Sequence, residues 1–420
     1  MDAPRFEPFA PGRCRTLAHA LDGAAPTTLE AFAALRAKVS GLDAPLDGLE
    51  ALLTSEPEWA PTFFDRVVPA LCEAAWALVA TGTPSLPVLT AMQRGQVAVP
   101  RAVVPGWVAH MLLGTLPPRE RRWPVVDGTP LLARARPQEN AKLRCMLALF
   151  ERTADAPLPG RLTIARRVTA PRNVEAWAHD PSPLTALDVE ATGTIEDAEG
   201  HLQADFANKY LGGGVLTGGC VQEEIRFAVS PELLAAMLVS PVMETREAVA
   251  IHGAERFARY DGYGFSLRYA GPYDDPAPRL PDGTPDVTVV AMDALDFRHG
   301  HRLAQYDDDK LLRELEKARA AFLPDPRAQP IATGNWGAGV FLGDAALKAI
   351  LQWIAASACR RTVRYYAFGD GRIEGLADFA DAARTKFGTA GALWSALRRA
   401  LAQPRTPDDE TPLFARVLAA

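Results

Sequence analysis

The sequence has few cysteines and no long apolar run. Its five cysteines are scattered over 420 residues, with no Cys-x-x-Cys pair and no histidine at metal-binding spacing, which argues against a disulfide framework and a zinc module. No run of about 18 apolar residues occurs, and residues 1–15 lack the apolar segment of a signal peptide. We therefore expect reduced thiols, a cytoplasmic location and no membrane partner.

The chain also lacks an excess of basic residues. Its 45 lysines and arginines are outnumbered by 51 acidic residues, which gives a net charge of −6 and an isoelectric point near 5.8. A general nucleic-acid-binding protein needs a clustered basic surface to neutralise phosphates, so no direct nucleic-acid partner is predicted. The hydrophobic fraction of 48% and the charged fraction of 23% are typical of a globular protein.

Sequence patterns for metals and nucleoside triphosphates are missing as well. Among the seven histidines the one close pair, His299 and His301, has no third ligand near it. No Gly-x-x-x-x-Gly-Lys segment is present, which excludes a P-loop. We predict no metal and no cofactor.

Residues 1–153 are predicted to form a mostly helical accessory region. Apolar residues recur at helical spacing in the segments that begin at Leu29, Phe63 and Gln138. No group of residues suited to catalysis occurs there, so we expect this region to support the domain that follows. The segment TADAPLPGR, rich in proline and glycine, marks the predicted boundary.

Residues 154–420 show the alternation of strands and helices that is typical of an α/β domain. Apolar patterns predict strands in RLTIARRV, LTALDVEATGTI, EAVAIHG, DVTVVAM and TVRYYAF. Helical patterns begin at Ser230, Asp309 and Gly343. Together they predict a three-layer α/β/α core with a mixed sheet.

A glycine-rich segment followed by two carboxylates is the centre of the predicted site. It reads GGGVLTGGCVQEEIRF and occupies residues 212–227. Glycine tolerates positive φ and leaves the main chain open to a ligand, so successive amides can bind one anion, and we expect a diphosphate. Glu223 and Glu224 precede an apolar run. Taken alone, they could equally be an acidic first turn that the helix dipole stabilises.

This segment, with DFANKYL just before it, resembles the three glycines and the later Gln-Glu-Glu of poly(ADP-ribose) glycohydrolases. Further family-like segments occur in the same order: TIEDAEGHLQADFAN, YDGYGF, ATGNWGAG and YYAFGD. The resemblance implies a macrodomain-like core in the α/β domain and hydrolysis of poly(ADP-ribose) to ADP-ribose.

The resemblance assigns the chemistry to Glu224. Breaking a ribose–ribose bond requires a proton for the departing oxygen and a base for the incoming water. Because the side chains of neighbouring residues diverge, one glutamate must carry out both transfers in turn. This needs a pKa raised towards neutrality by burial and a neighbouring carboxylate. By the same resemblance Glu223 orients the ribose hydroxyls and Asp205 supports the pair.

A set of substrate-binding residues is also implied by the resemblance. Asn208 would hydrogen-bond the ribose being cleaved, Tyr263 would close over the ligand, and Phe368 would pack near the adenine. Taken alone, Phe368 is better explained as the buried end of a strand. Ala338 stands where animal enzymes commonly carry cysteine. The remaining predicted contacts are Ile195, Glu196, Gly212, Gly213, Gly214, Gln222, Asn335, Trp336, Gly337, Ala338, Gly339 and Val340.

Three functions fit these residues. The first is a poly(ADP-ribose) glycohydrolase that acts on the polymer and on ADP-ribosylated proteins. The second is a non-catalytic macrodomain module that binds ADP-ribose, and the third is a hydrolase of a small ADP-ribose derivative such as an O-acetyl ester. We predict the first, as a monomer in the DNA damage response. The composition indicates a bacterial genome, and in a eukaryote the expected location would be the nucleus.

Overall fold

A computed structural model describes residues 4–80, 85–325, 327, 329–403 and 411–420. Helices and strands are numbered in chain order. The helices are α1 Pro11–Leu21, α2 Leu29–Ser40, α3 Asp47–Ser55, α4 Ala60–Thr62, α5 Val68–Ala80, α6 Val104–Leu113, α7 Thr129–Ala133, α8 Pro137–Thr153, α9 Val174–Ala178, α10 Gln222–Val229, α11 Ala235–Val239, α12 Asp308–Ala321, α13 Ala345–Ala358, α14 Leu376–Phe387, α15 Ala390–Ala402 and α16 Leu413–Ala419. The strands are β1 Arg5–Phe6, β2 Leu86–Pro87, β3 Gly95–Pro100, β4 Arg161–Val168, β5 Leu187–Glu190, β6 Leu202–Asp205, β7 Glu247–His252, β8 Ala258–Asp261, β9 Arg268–Pro272, β10 Thr288–Ala291, β11 Ile331–Gly334 and β12 Val363–Tyr366.

One mixed sheet organises the molecule. Its eight strands follow the order β3-β4-β7-β10-β6-β11-β12-β5. Strands β10, β6, β11, β12 and β5 run parallel to one another, whereas β3, β4 and β7 pair in antiparallel fashion. The carboxyl ends of the parallel strands therefore meet along the same side of the sheet.

Helices cover both faces of this sheet. Successive side chains of a strand point to opposite faces, so Val289 of β10 packs towards the N-terminal helices while Val290 packs towards α12 and α13. The same alternation occurs in β7, where Val249 and Ala250 lie in different cores. The predicted α/β/α layers and the mixed sheet are confirmed.

Helix α8 lies at the centre of the helical region. It begins with proline, which is tolerated at the first helical position because its missing N–H would lack an intrahelical partner. Every residue from Gln138 to Phe150 is buried, including Glu139, Lys142 and Arg144. A helix buried on all sides must pack between other elements. Here α8 contacts α3, α10 and β9.

The helical region and the sheet share a core. Trp107 of α6 and Phe150 of α8 belong to the same buried cluster as Ile164 of β4. Strand β3 also lies before residue 153, where the sequence predicted mostly helix, and forms an edge of the sheet. The domain boundary itself stays a prediction. Within the described ranges, no helix has the length and apolar character needed to cross a membrane.

Candidate active site

Most of the predicted site residues collect where the parallel strands end. Asp205 is the last residue of β6, Asn335 follows β11, and Phe368 follows β12 by two residues. Open α/β sheets bind ligands at such ends. A cavity of about 460 Å³ lies there, and the predicted residues that line it are Ile195, Glu196, Gln222, Tyr263, Asn335, Gly337, Gly339, Val340 and Phe368. We call it the first cavity.

Other predicted residues lie outside the lining of the first cavity. They are Asp205, Asn208, Gly212, Gly213, Gly214, Glu223, Glu224, Trp336 and Ala338. Trp336 is completely buried and donates its indole N–H to the Met292 carbonyl at 3.0 Å. Ala338 is also buried, and its carbonyl accepts from Arg372 at 2.8 Å. The Trp336 side chain thus packs in the core, and ligand contact at this position of the loop stays a prediction.

Glu223 is held by two backbone amides. The N–H of Gly212 donates to one carboxylate oxygen at 2.6 Å, and the N–H of Asn208 donates to the other at 2.8 Å. Burial raises the pKa of Glu223 well above its usual value, and the carboxyls of Asp205 and Glu224 raise it further, against the two amides. Glu223 therefore has a fixed position and a high affinity for a proton.

Glu224 is fixed in the same way. It occupies the third position of α10, and its side chain reaches back to accept the N–H of Val221 at 2.9 Å, which satisfies a donor at the helix N-terminus. Its other oxygen accepts the N–H of Gly214 at 2.8 Å. The first turn of the helix thus orients this carboxylate before any ligand binds.

Because glycine has no side chain, the backbone of the glycine segment can lie directly against the carboxylates of Glu223 and Glu224. Gly213 has φ +50°, and a Cβ there would lie 2.5 Å from an oxygen of Glu224 and 2.6 Å from one of Glu223. A Cβ at Gly219 would also lie 2.5 Å from Glu224. The sequence predicted that loop amides would hold a diphosphate, but here two of them hold the catalytic candidates. The physical reason is that a buried carboxylate needs donors, and these are the nearest.

Asp205 is the least satisfied group of the cluster. Its side chain is completely buried, and neither oxygen has a hydrogen-bond partner among the described residues. Burial raises the pKa of Asp205 to about 8, with Arg226 opposing the shift and Glu224 adding to it. Asp205 is thus protonated at neutral pH. In the described part of the chain, no group of three or more His, Cys, Asp or Glu side chains is arranged to hold a metal ion.

A second loop offers open donors to the first cavity. Gly337 has φ +69°, and Gly337, Gly339 and Val340 all line the cavity. The backbone N–H groups of these three residues have no acceptor among the described residues. Consecutive amides around a residue with positive φ form an anion-binding concavity. This loop, residues 335–341, is therefore better placed to receive a phosphate than the glycine segment.

Two aromatic side chains stand at the rim of the first cavity. Tyr263 is 57% exposed, and its hydroxyl accepts the N–H of Gln222 at 3.2 Å. Phe368 is 48% exposed and adopts φ +53°, an uncommon conformation for a residue with a side chain. The alternative of Phe368 as a core residue is wrong. Both rings are available to a flat ligand.

Gln222 connects the helix to the sheet. Its side-chain oxygen accepts the N–H of Phe206 at 2.8 Å, and its amide nitrogen donates to the Ala204 carbonyl at 3.2 Å. These bonds join the start of α10 to the end of β6. They keep the glutamates next to the first cavity.

Two regions of the chain match family models. Residues 174–375 match the poly(ADP-ribose) glycohydrolase (PARG) Macro domain fold, and residues 55–166 match the PARG helical domain. "Probable poly(ADP-ribose) glycohydrolase 2" of Arabidopsis thaliana is 30% identical over 414 residues, covering 81% of this chain and 78% of the relative. The chain belongs to the poly(ADP-ribose) glycohydrolase family.

Other poly(ADP-ribose) glycohydrolases are similar over shorter stretches. "Poly(ADP-ribose) glycohydrolase 1" of Arabidopsis thaliana is 33% identical over 336 residues, covering 63% of this chain and 61% of the relative. "Poly(ADP-ribose) glycohydrolase 2" of Caenorhabditis elegans is 34% identical over 245 residues, which is 54% of this chain and 50% of the relative. The chain thus spans less than two thirds of the length of these two relatives.

The helical domain of this glycohydrolase family member supplies a lysine that the sequence did not point to. Lys142 of α8 is completely buried, and its amine donates to the carbonyls of Thr217 at 2.7 Å, Val215 at 3.1 Å and Gly214 at 3.2 Å. It also donates to the Gly219 carbonyl. Burial lowers the pKa of Lys142 to about 8. The sequence held one signal for Lys142, because a lysine is rarely found on the buried stripe of a helix.

Two further side chains of this PARG family member lie at the first cavity without having been predicted. Arg372 lines it, pairs with Asp370, and donates to the second loop at Ala338. Tyr260 also lines it and donates its hydroxyl to Glu196. Tyr260 begins the family-like segment YDGYGF, which was the available signal for it, whereas Arg372 lies just outside YYAFGD and no local pattern marked it.

Proposed function

We propose that this protein hydrolyses the ribose–ribose O-glycosidic bonds of poly(ADP-ribose) and releases ADP-ribose. The observation that carries the proposal is the pair of buried glutamates, each fixed by two backbone amides, beside a cavity with exposed aromatic rings and open amides. An ADP-ribose unit needs a π-face for adenine, donors for the diphosphate and an acid at the ribose. Family membership supports the same substrate.

In the proposed mechanism, Glu224 takes part in two proton transfers, first as an acid and then as a base. Its carboxyl protonates the departing ribose oxygen while the bond from that oxygen to the anomeric carbon breaks through an oxocarbenium-like transition state. Water then attacks the anomeric carbon and returns a proton to Glu224. Each carboxylate oxygen has a second lone pair besides the one that accepts an amide, so the proton has a place to bind.

The neighbouring carboxyls set the charge of the site. Glu223 would accept hydrogen bonds from the ribose hydroxyls of the unit being released. Asp205, whose pKa burial raises to about 8, would keep a further full negative charge away from the two glutamates at neutral pH. Once Glu224 has given its proton to the departing oxygen, its own carboxylate would stabilise the cationic transition state.

The rest of the ADP-ribose unit would occupy the first cavity. The adenine would stack at Phe368, with Tyr263 closing over the ligand, and stacking on one aromatic ring is worth about 1–3 kcal/mol per base. The diphosphate would lie at the second loop, where Gly337, Gly339 and Val340 line the cavity with open N–H groups. Arg372, next to that loop, would add a positive charge.

Turnover of poly(ADP-ribose) by the purified protein tests the proposal. We expect free ADP-ribose from the wild-type protein and a loss of about 10²–10⁴-fold in kcat for Glu224→Gln, the usual contribution of a general acid–base group. ADP-ribose binding, measured by calorimetry, should persist in this variant. Glu73→Gln, an exposed glutamate on α5, is the matched control and should retain activity.

Two outcomes would favour the alternatives. Binding of ADP-ribose without release from the polymer by the wild-type protein indicates a binding module. Release from an O-acetyl ester of ADP-ribose but not from the polymer indicates a hydrolase of small derivatives. If Glu224→Gln cleaved the polymer as fast as the wild-type protein, the assignment of Glu224 as the general acid would be wrong. Size-exclusion chromatography at several concentrations would test the predicted monomer.

A further inference from the structure

A second cavity reaches the glutamate pair from a different set of residues. It has a volume of about 480 Å³ and shares no lining residue with the first cavity. Its lining residues are Arg119, Glu120, Arg121, Trp123, Val125, Asn208, Tyr210 and Gly213. The first five belong to the segment between α6 and α7, in the helical region, and the others to the loop after β6. Nothing in the proposed mechanism uses this cavity.

The two glutamates lie next to both cavities. On the second cavity's side, Gly213 lines the wall and touches both carboxylates so closely that a Cβ there would collide with them. Asn208, another lining residue, donates its N–H to Glu223. On the first cavity's side, Val221 lines the wall and donates its N–H to Glu224. A bond cleaved at Glu224 would therefore have one cavity for each of the groups that it joins.

Charge and aromatic surface in the second cavity suit a nucleotide. Two arginines and one glutamate line it, in a chain whose net charge is −6. The Arg119 guanidinium lies 3.3 Å from the centre of the Trp123 ring and donates to the Leu238 carbonyl at 2.8 Å, which fixes both side chains. Arg121 is exposed. Tyr210 supplies a second ring at the opposite chain segment.

We propose that the second cavity binds the ADP-ribose unit on the leaving side of the scissile bond, the next unit along the polymer. Its diphosphate would pair with Arg121, and its adenine would stack on Trp123 or Tyr210. The oxygen that Glu224 protonates belongs to this unit, so its placement fixes the leaving group. This inference rests on the proposed glycohydrolase function and assigns residues of the helical region to the leaving side of the bond.

Two substrates that differ only in the leaving group distinguish binding of the leaving unit from a general effect on catalysis. The first is poly(ADP-ribose), and the second is ADP-ribose joined at its anomeric carbon to p-nitrophenol, which has no second nucleotide. We expect Arg121→Ala and Trp123→Ala each to lower kcat/KM for the polymer about tenfold, the loss of one phosphate contact or one stacked base. Both variants should cleave the aryl glycoside within about twofold of wild type.

Arg384→Ala is the matched control, because Arg384 is an exposed arginine on α14, which packs against the strand at the far edge of the sheet. It should leave both substrates unaffected. Equal losses on both substrates, or no loss on the polymer, would overturn the second binding site while leaving the glycohydrolase function intact. Failure of the wild-type protein to cleave polymer would instead overturn the proposed function. Thermal unfolding of each variant shows whether it is folded.

Discussion

At the scale of single residues, the site depends on a missing side chain. Gly213 places its backbone against both glutamates, at φ +50°. In Gly213→Ala the new Cβ meets oxygens at 2.5 and 2.6 Å, so at least one carboxylate must move. We expect kcat to fall at least about 100-fold, because a displacement of about 1 Å is enough for such a loss. The free energy of unfolding should fall by about 1–2 kcal/mol from the left-handed backbone.

Poly(ADP-ribose) turnover and thermal unfolding would measure the two effects. Gly300→Ala is the control, since a Cβ there would meet no atom within 4 Å and the residue does not require positive φ. Full activity in Gly213→Ala would show that the carboxylates do not depend on this contact.

Asp205 makes the stability of the fold depend on pH. The folded protein keeps a proton on this carboxyl up to about pH 8, whereas an unfolded aspartate loses it near pH 3.9. The folded state therefore binds more protons in this window, and stability falls as pH rises, by up to about 1.4 kcal/mol per unit for this group. Asp205→Asn removes the effect, so its melting temperature should rise relative to wild type between pH 5 and about pH 8.

Asp43→Asn, at an exposed aspartate, should follow the wild-type profile across the same pH range. A constant difference in melting temperature between Asp205→Asn and wild type would mean that Asp205 is ionised throughout. A loss of activity in Asp205→Asn would carry no information on this point, because Asp205 also lies beside Glu223 and Glu224 in the candidate site.

At the scale of elements, the sequence predicted five strands of the eight-stranded sheet and missed β3, β6 and β11. Strands β4, β7, β10 and β12 have apolar patterns that alternate or run continuously, and each was predicted. Strands β6 and β11 have four residues each, LQAD and IATG, and both are buried throughout. Four residues without a period cannot be told from a loop. These two strands are recognisable only from the neighbours that they pair with.

In the candidate site, too, residues in local motifs could be predicted, whereas contacts between residues far apart in sequence could not. The glycine segment, the two glutamates and the aromatic residues could be predicted because they are adjacent in sequence or lie in recognisable motifs. The direction of the glycine amides could not, because it depends on where the carboxylates lie once α10 has formed. Lys142 is more than 70 residues from the carbonyls that it binds, so no local pattern relates them.

Helix α8 should control the shape of the glycine segment through Lys142. Lys142→Met keeps the length of the side chain but removes the donor for four carbonyls. We expect a loss of about 2 kcal/mol in the free energy of unfolding, typical of buried polar groups that lose a partner. Activity should fall about tenfold or more, since the same segment carries the amides of Gly212 and Gly214 that hold the glutamates.

Lys38 is an exposed lysine on α2, so the control variant Lys38→Met should change neither the free energy of unfolding nor the activity. Chemical denaturation and polymer turnover would measure them. If Lys142→Met were as active as wild type, α8 would be a packing element only, and the loop would be held by its own turns.

At the scale of the whole molecule, the helical region is part of the catalytic fold. Its helices share one buried cluster with β4, β7, β10 and α10, so they cover a large part of one face of the sheet. All six residues of β3 pair with β4, and Lys142 binds the glycine segment. We therefore expect a fragment of residues 154–420 not to fold alone, because it would expose an apolar sheet face, which leads to association.

Circular dichroism, size-exclusion chromatography and thermal unfolding of the fragment test this dependence. We expect an aggregated protein without a cooperative transition, and recovery of a soluble, active complex when residues 1–153 are co-expressed as a separate chain. We expect this recovery because the two parts share a core and bury each other's apolar surface, as two halves of one domain do. A soluble fragment that melts cooperatively and cleaves polymer would mean that the helical region is an accessory in function as well as in sequence, and that the glycine segment keeps its shape without Lys142.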